Sequence, residues 1–103
     1  MANYKILSET EIQPALPGLT GWSVKNGAIE AVFEFATFRD AIAFIVMIAI
    51  EAEVMNHHPE FHNSYNRVSF SFCTHDACHK ITDLDIETAS RISAAARRFP
   101  GMG

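Results

Sequence analysis

The stretch Trp22-Ser23-Val24-Lys25-Asn26-Gly27-Ala28-Ile29-Glu30-Ala31-Val32-Phe33-Glu34-Phe35 decides the fold. Asn26-Gly27 at its centre supplies the two positive φ angles of a tight type I′ turn, so residues 22–25 and 28–35 are predicted to pair as antiparallel strands. In the second arm Ile29, Ala31, Phe33 and Phe35 fall on one side, with Glu30 and Glu34 on the other. That is the alternation of a sheet covered on one face only, and helices are expected to pack on the apolar face.

Downstream, Thr37 can cap a helix with Asp40 in its first turn, and no Gly or Pro interrupts the pattern as far as Asn56. Its middle, Ala41 to Ile50, is apolar at every position. A membrane span needs about 20 such residues, and this run is bounded by Arg39, Asp40, Glu51 and Glu53, so a transmembrane reading fails on length. A helix lying on a sheet needs one apolar stripe, whereas this one is apolar all round. Its outer side is therefore covered either by the protein's other helices or by another copy of the chain. With two further helices predicted, self-association is the reading the pattern favours. Pro59 forces His58 out of helical geometry and is expected to fix the helix end near Asn56.

Upstream, Ser8 and Glu11 form the S-x-x-E signature of a capped short helix, which Pro14 and Pro17-Gly18 are expected to end. After the long helix, residues 60–64 form a short strand in this reading, and Arg67 to His75 alternates with Val68, Phe70 and Phe72 toward the core. Ser69, Ser71, Cys73 and His75 then share the polar face, and His75 emerges at a strand end. Thr82 with Asp85 repeats the capping pattern, and Ile86, Ala89, Ile92, Ser93 and Ala96 follow helical spacing up to Phe99-Pro100-Gly101.

The 103 residues suit one domain, and with 49% apolar and 19% charged residues a packed core is expected rather than disorder. Net charge is −4 and the few cations are scattered apart from Arg97-Arg98, so no track for phosphates is visible and direct nucleic-acid binding is not expected. The run from Met1 to Leu7 lacks the apolar stretch of roughly 7–15 residues of a secretory signal, so a cytoplasmic protein is expected. Its two cysteines, Cys73 and Cys78, would then remain thiols or bind metal.

Three groups of polar residues stand at element ends: Glu53 with His57-His58, Thr74-His75-Asp76, and Asp85. Histidine gives and takes protons near neutrality, so several at one site suit a reaction that needs an acid and a base together. A single loop histidine is usually only solvated; it is the combination that points to proton transfer. The physical rival is metal binding, because Cys73-x-His75-x-x-Cys78-His79 concentrates ligands that suit zinc in kind. The set lies within seven residues, which reads as too tight for an easy tetrahedron. Thiol catalysis by Cys73 or Cys78 beside His75 needs a lowered thiol pKa that a sequence does not reveal.

The ordered set Glu53-x-x-x-His57-His58-Pro59, Tyr65, Thr74-His75-Asp76 and Asp85 resembles the pterin-4a-carbinolamine dehydratases. The likeness covers nearly the whole chain, because the Trp22 hairpin, the helix start Phe38-Arg39-Asp40 and the strand start Asn63-x-Tyr65-Asn66-x-Val68 are similar to that family too. The resemblance implies an α+β fold, a four-stranded antiparallel sheet with three helices packed on one face. It also implies a homodimer or homotetramer assembled through the long helix, residues 38–56. The implied reaction is loss of water from a 4a-hydroxytetrahydropterin left by an aromatic amino acid hydroxylase, giving quinonoid dihydropterin without a further cofactor. By the same resemblance His57, His58 and His75 are catalytic with Asp85 as an orienting carboxylate, and Glu53, Asn56, Pro59, Phe61, Cys73, Thr74 and Asp76 join the histidines in binding the pterin. Asn56 stands where that family commonly has aspartate, Phe61 where it commonly has tryptophan, and the loop from Ala77 to Ile81 differs from its usual Gly-containing turn. Some members also serve as dimerisation cofactors of a homeodomain transcription factor, a second reading that would add a nuclear location; a small zinc-binding domain is the third.

Overall fold

Asn26 and Gly27 have φ of 53° and 78°, and between them they fold the chain back so that β1 (Ser23–Lys25) and β2 (Ala28–Glu34) pair antiparallel with Lys25 opposite Ala28. The computed structural model describes residues 4–101; the first three residues of the N-terminal run read above lie outside it. β2 pairs along its other edge with β4 (Arg67–Phe72), and β3 (Phe61–Ser64) closes the far side of β4, giving the order β1-β2-β4-β3, antiparallel throughout. Asn66 locks the β3–β4 turn to the end of β2: its side-chain amide donates to the Phe35 carbonyl at 2.7 Å, and the Phe35 N–H donates to the Asn66 carbonyl at 2.8 Å.

The predicted alternation holds. Ile29, Ala31 and Phe35 of the first hairpin and Val68, Phe70 and Phe72 of β4 are buried, while Glu30, Glu34, Ser69 and Ser71 turn outward. Three helices cover the buried face: α1 (Glu9–Ala15), α2 (Phe38–Met55) and α3 (Asp83–Ala96), through Ile12, Phe44, Ile48, Ala89 and Ile92. Phe44 sits at the centre of an aromatic cluster, with ring centroids 4.8 Å from Phe35, 5.6 Å from Phe33 and 6.0 Å from Phe70. Burying each such side chain contributes on the order of 1.5–3 kcal/mol, and this cluster is what fixes α2 across the sheet. The architecture is the α+β arrangement expected. No described helix is long and apolar enough to cross a membrane.

Helix boundaries follow local chemistry, with two corrections of position and one of cause. α1 runs through Pro14 to Ala15, because proline's own φ is helical and only one N–H is lost near the helix end; a 3-10 turn over Leu16–Gly18 follows. At its start the Ser8 N–H donates to the Glu11 carboxylate at 3.0 Å, and the Lys5 ammonium 2.7 Å away, together with Ser8, holds that carboxyl down at about 2. α2 starts on Thr37, whose Oγ1 accepts from the Asp40 N–H at 3.0 Å. It ends where expected, at Asn56, but the stop is made by Asn56 itself, in the left-handed region at φ 51°, rather than by Pro59 three residues later. Here the His57 N–H reaches back to the Ala52 carbonyl at 3.1 Å and the Asn56 N–H to Glu53 at 3.2 Å, the paired bonds of a Schellman motif, and asparagine tolerates the left-handed position. α3 stops at Ala96, short of Phe99-Pro100; i→i+3 bonds from Arg98 and Phe99 tighten the chain there so that Phe99 packs on Phe35.

Along the outer side of α2, Phe38, Ile42, Val46, Ile50 and Val54 recur at every fourth position and are 38–71% exposed. The protein's own helices do not cover this ridge.

Candidate active site

The left-handed turn at Asn56 sends the next two histidines in different directions. His57 points inward, its side chain 11% exposed, and its Nε2 lies 2.7 Å from Oδ1 of Asp85. His58 points to solvent, where Nε2 meets the Glu53 carboxylate at 2.5 Å. Both members of that second pair are well exposed, so it contributes at most about 1 kcal/mol to stability.

Asp85 is the third residue of α3 and is fully buried. Its Oδ2 accepts from the Thr82 N–H and the Thr74 hydroxyl, each at 2.8 Å, and more weakly from the Thr82 hydroxyl at 3.5 Å, while Oδ1 faces His57. The helix cap that the sequence assigns to Thr82 and Asp85 is therefore also the clamp that holds the carboxylate against His57. An ionised carboxylate only accepts, so a neutral imidazole paired with it carries its proton on Nε2 and keeps the lone pair on Nδ1. Phe72 packs edge-on against the same ring, at a centroid distance of 6.5 Å.

On the other side of the site the strand ladder ends at Phe72, earlier than the predicted Arg67–His75 strand. The parity of burial nevertheless continues, with Thr74 buried and His75 exposed. Thr74 leaves β4 to pair with Lys80 and to reach Asp85, and His75 begins a 3-10 turn over His75–Ala77. His75 is accessible, as expected, although it is on a turn rather than a strand. Asn56, His57 and His58 line one side of a cleft of about 260 Å³, and Phe72, Cys73, Thr74, His75 and Asp76 line the other, with Glu60 between them. This is just below the roughly 300–1,000 Å³ of ligand clefts and suits a compact ligand better than an extended one. Glu53, Pro59 and Phe61 lie outside the lining. Glu53 pairs with His58, and Phe61 on β3 lines a neighbouring hollow of about 520 Å³ on the open face of the sheet, which also borders on Glu60. The larger hollow has fewer converging acid–base groups, so the smaller cleft is the better candidate.

Sequence reasoning missed Glu60, Phe72 and Thr82. Phe72 and Thr82 read as core and cap, which they also are; Glu60 carried a usable signal, its place directly after the His-His-Pro run.

The Cys73 thiol is pushed up by burial, with the charges of Asp85 and Glu60 adding to the effect, which is the opposite of what a thiolate nucleophile requires. The objection that the cysteine and histidine run is too tight for a metal does not hold in three dimensions. Donor atoms of Cys73, His75 and His79 all lie within 4.8 Å of one another.

A family model described as pterin 4 alpha carbinolamine dehydratase matches residues 5–95. A relative from Opitutus terrae, provisionally named a pterin-4-alpha-carbinolamine dehydratase, is 45% identical over 86 residues, which is 84% of this chain and 89% of that protein. One from Solibacter usitatus with the same provisional name is 44% identical over 90 residues, 87% of this chain and 94% of its own. Among solved structures, a crystal structure described as a transcriptional coactivator/pterin dehydratase from Brucella melitensis superposes with a TM-score of 0.85 at 38% identity, covering 89% of this chain and 99% of that one.

Proposed function

The chain belongs to the pterin-4a-carbinolamine dehydratase family, and from that premise we propose that it removes water from a 4a-hydroxytetrahydropterin by histidine acid–base catalysis, returning quinonoid dihydropterin for tetrahydrobiopterin recycling. The observation that carries this reading is the buried Asp85–His57 pair facing His75 across one small cleft. Elimination of the 4a hydroxyl needs a proton on the departing oxygen and removal of a proton from a ring N–H. In the proposal His57 Nδ1 takes the ring proton, and the positive charge that develops on its imidazole is met by the Asp85 carboxylate. His75, on the solvent side, gives its proton to the leaving hydroxyl, which departs as water. One histidine has then gained a proton and the other lost one, and exchange with solvent restores both. His58, tied to Glu53, borders the pterin, Asn56 and Asp76 offer hydrogen-bonding groups for its ring edge, and Thr74, whose hydroxyl is committed to Asp85, lines the cleft behind them. No further cofactor enters the scheme.

Stopped-flow measurement of 4a-hydroxytetrahydropterin dehydration tests it. The wild-type protein is expected to accelerate the reaction over buffer, and His57→Ala to lose roughly 100- to 10,000-fold of that acceleration. No acceleration by the wild type, or an unchanged rate in the variant, refutes the proposal.

The apolar ridge on α2 supports assembly into a homodimer or homotetramer through that helix, since five large apolar side chains in one stripe are costly to leave in water. Val46→Glu combined with Ile50→Glu is expected to shift the protein to monomer in sedimentation velocity. A wild-type chain that sediments as a monomer at micromolar concentration would count against assembly. The same ridge, and the coactivator named in the description of the Brucella structure, favour a second reading in which a transcription factor docks there. Co-purification of such a factor with wild type but not with the double variant would support it.

A further inference from the structure

We infer that Cys73, His75 and His79 form a binding site for a zinc-class divalent cation at the mouth of the cleft, and that its occupation switches dehydration off. The loop that builds the site is closed at its base by the Thr74 N–H, which donates to the Lys80 carbonyl at 2.9 Å. Within it Cys78 and His79 have φ of 58° and 59°, two successive non-glycine residues in the left-handed region. Such a pair is strained, and what it achieves here is to turn the chain back so that the His79 ring lies 4.8 Å from the His75 ring, on the side where Cys73 leaves β4. Among the described residues neither imidazole has a hydrogen-bonded protein partner, and both are exposed.

One thiolate and two imidazoles form a borderline-soft donor set that suits zinc and excludes magnesium and calcium, which need oxygen ligands. Bonds of about 2.0–2.3 Å in a tetrahedron bring donors to roughly 3.3–3.7 Å of one another. The present spread of 4.8 Å closes to that range with modest rotation of the two exposed rings. Binding replaces the thiol proton by a metal–sulfur bond, so one proton leaves for each ion bound, and three protein ligands leave one coordination position to water. The switching step rests on the proposed role of His75 in the cleft: Cys73 and His75 both line it, so an ion held by their donor atoms obstructs the cleft and fixes the His75 ring.

The test titrates the purified wild-type chain with Co²⁺, reading thiolate-to-cobalt charge transfer and visible d–d absorption, and then displaces the cobalt with Zn²⁺. One ion per chain is expected, with the charge-transfer band absent in Cys73→Ser. His79→Asn, chosen because asparagine tolerates the left-handed backbone, is expected to weaken binding at least about tenfold while leaving metal-free dehydration unchanged. Stoichiometric Zn²⁺ is expected to slow dehydration at least about tenfold in wild type, reversibly with chelator, and to have little effect on His79→Asn. Absence of a cobalt–thiolate band, or wild-type affinity in His79→Asn, overturns the site. Full activity at metal saturation overturns the switch. A chain that binds cobalt as described but never dehydrates the pterin sustains the site and overturns the proposed function together with the switch.

Discussion

Asp85→Asn is expected to slow dehydration roughly 100- to 10,000-fold while the chain remains folded. Asparagine has the shape of aspartate, but one of its two terminal atoms is a donor. The Thr82 N–H and the Thr74 hydroxyl both donate toward Oδ2, so the amide oxygen must take that position to avoid a buried clash of donors. The amide NH₂ then occupies the position of Oδ1, 2.7 Å from His57 Nε2, and the imidazole can satisfy it only by accepting. Its proton therefore moves to Nδ1, the nitrogen that in the proposed mechanism takes up the substrate's proton. Geometry is preserved and the tautomer is wrong. Single-turnover kinetics give the rate, and nitrogen chemical shifts of the imidazole report the tautomer, a readout that simple loosening of the fold would not reverse. Wild-type turnover in a folded Asp85→Asn protein would remove Asp85 and His57 from the mechanism as a unit.

Phe44→Ala is expected to cost about 3–5 kcal/mol of stability in urea denaturation. The Phe44 ring is fully buried and touches two strands and the chain beyond α3, through Phe33, Phe35, Phe70 and Phe99. Contacts from three directions prevent collapse of the space left behind, which puts the cost at the upper end for a deletion of this size. A domain of this kind holds about 5–15 kcal/mol in all, so the variant should sit near the edge of folding. Glu9→Ala, on the exposed start of α1, should remain within about 0.5 kcal/mol of wild type. A loss below about 1 kcal/mol at Phe44 would mean that α2 is held to the sheet by something other than the aromatic cluster.

What could be read in the sequence were the features governed by neighbours in the chain. Asn26-Gly27 dictates its turn through its own backbone preferences, and the alternation in β2 and β4 reports which face is buried whatever covers it. The caps at Thr37 and Thr82 were legible because a hydroxyl and a backbone N–H a few residues apart meet without help from the rest of the fold. Competition between two local rules was harder. Pro59 forbids helix at His58, but Asn56 ends the helix first, because a left-handed asparagine with two backbone bonds behind it is already a complete stop. The end of β4 was misread because Thr74 leaves the ladder for a residue eleven positions away, Asp85, and no periodicity encodes that attraction. The site shows the same division. Its histidines and Asp85 stood out by type and by family resemblance, whereas the buried clamp around Asp85 and the folding back of His79 onto His75 exist only once the elements are packed.

The stop at Asn56 has a consequence for how this protein can vary. The left-handed position admits asparagine, aspartate or glycine with little backbone penalty, and no β-branched residue. Asn56 also lines the cleft. Exchange among the three would alter the charge facing the cleft by up to a full unit while the direction of His57 stayed as it is, so at this point the polypeptide is permissive in electrostatics and strict in shape. The charge at the rim of the cleft can thus change by substitution at a single helix terminus without any need to rebuild the arrangement of the histidines.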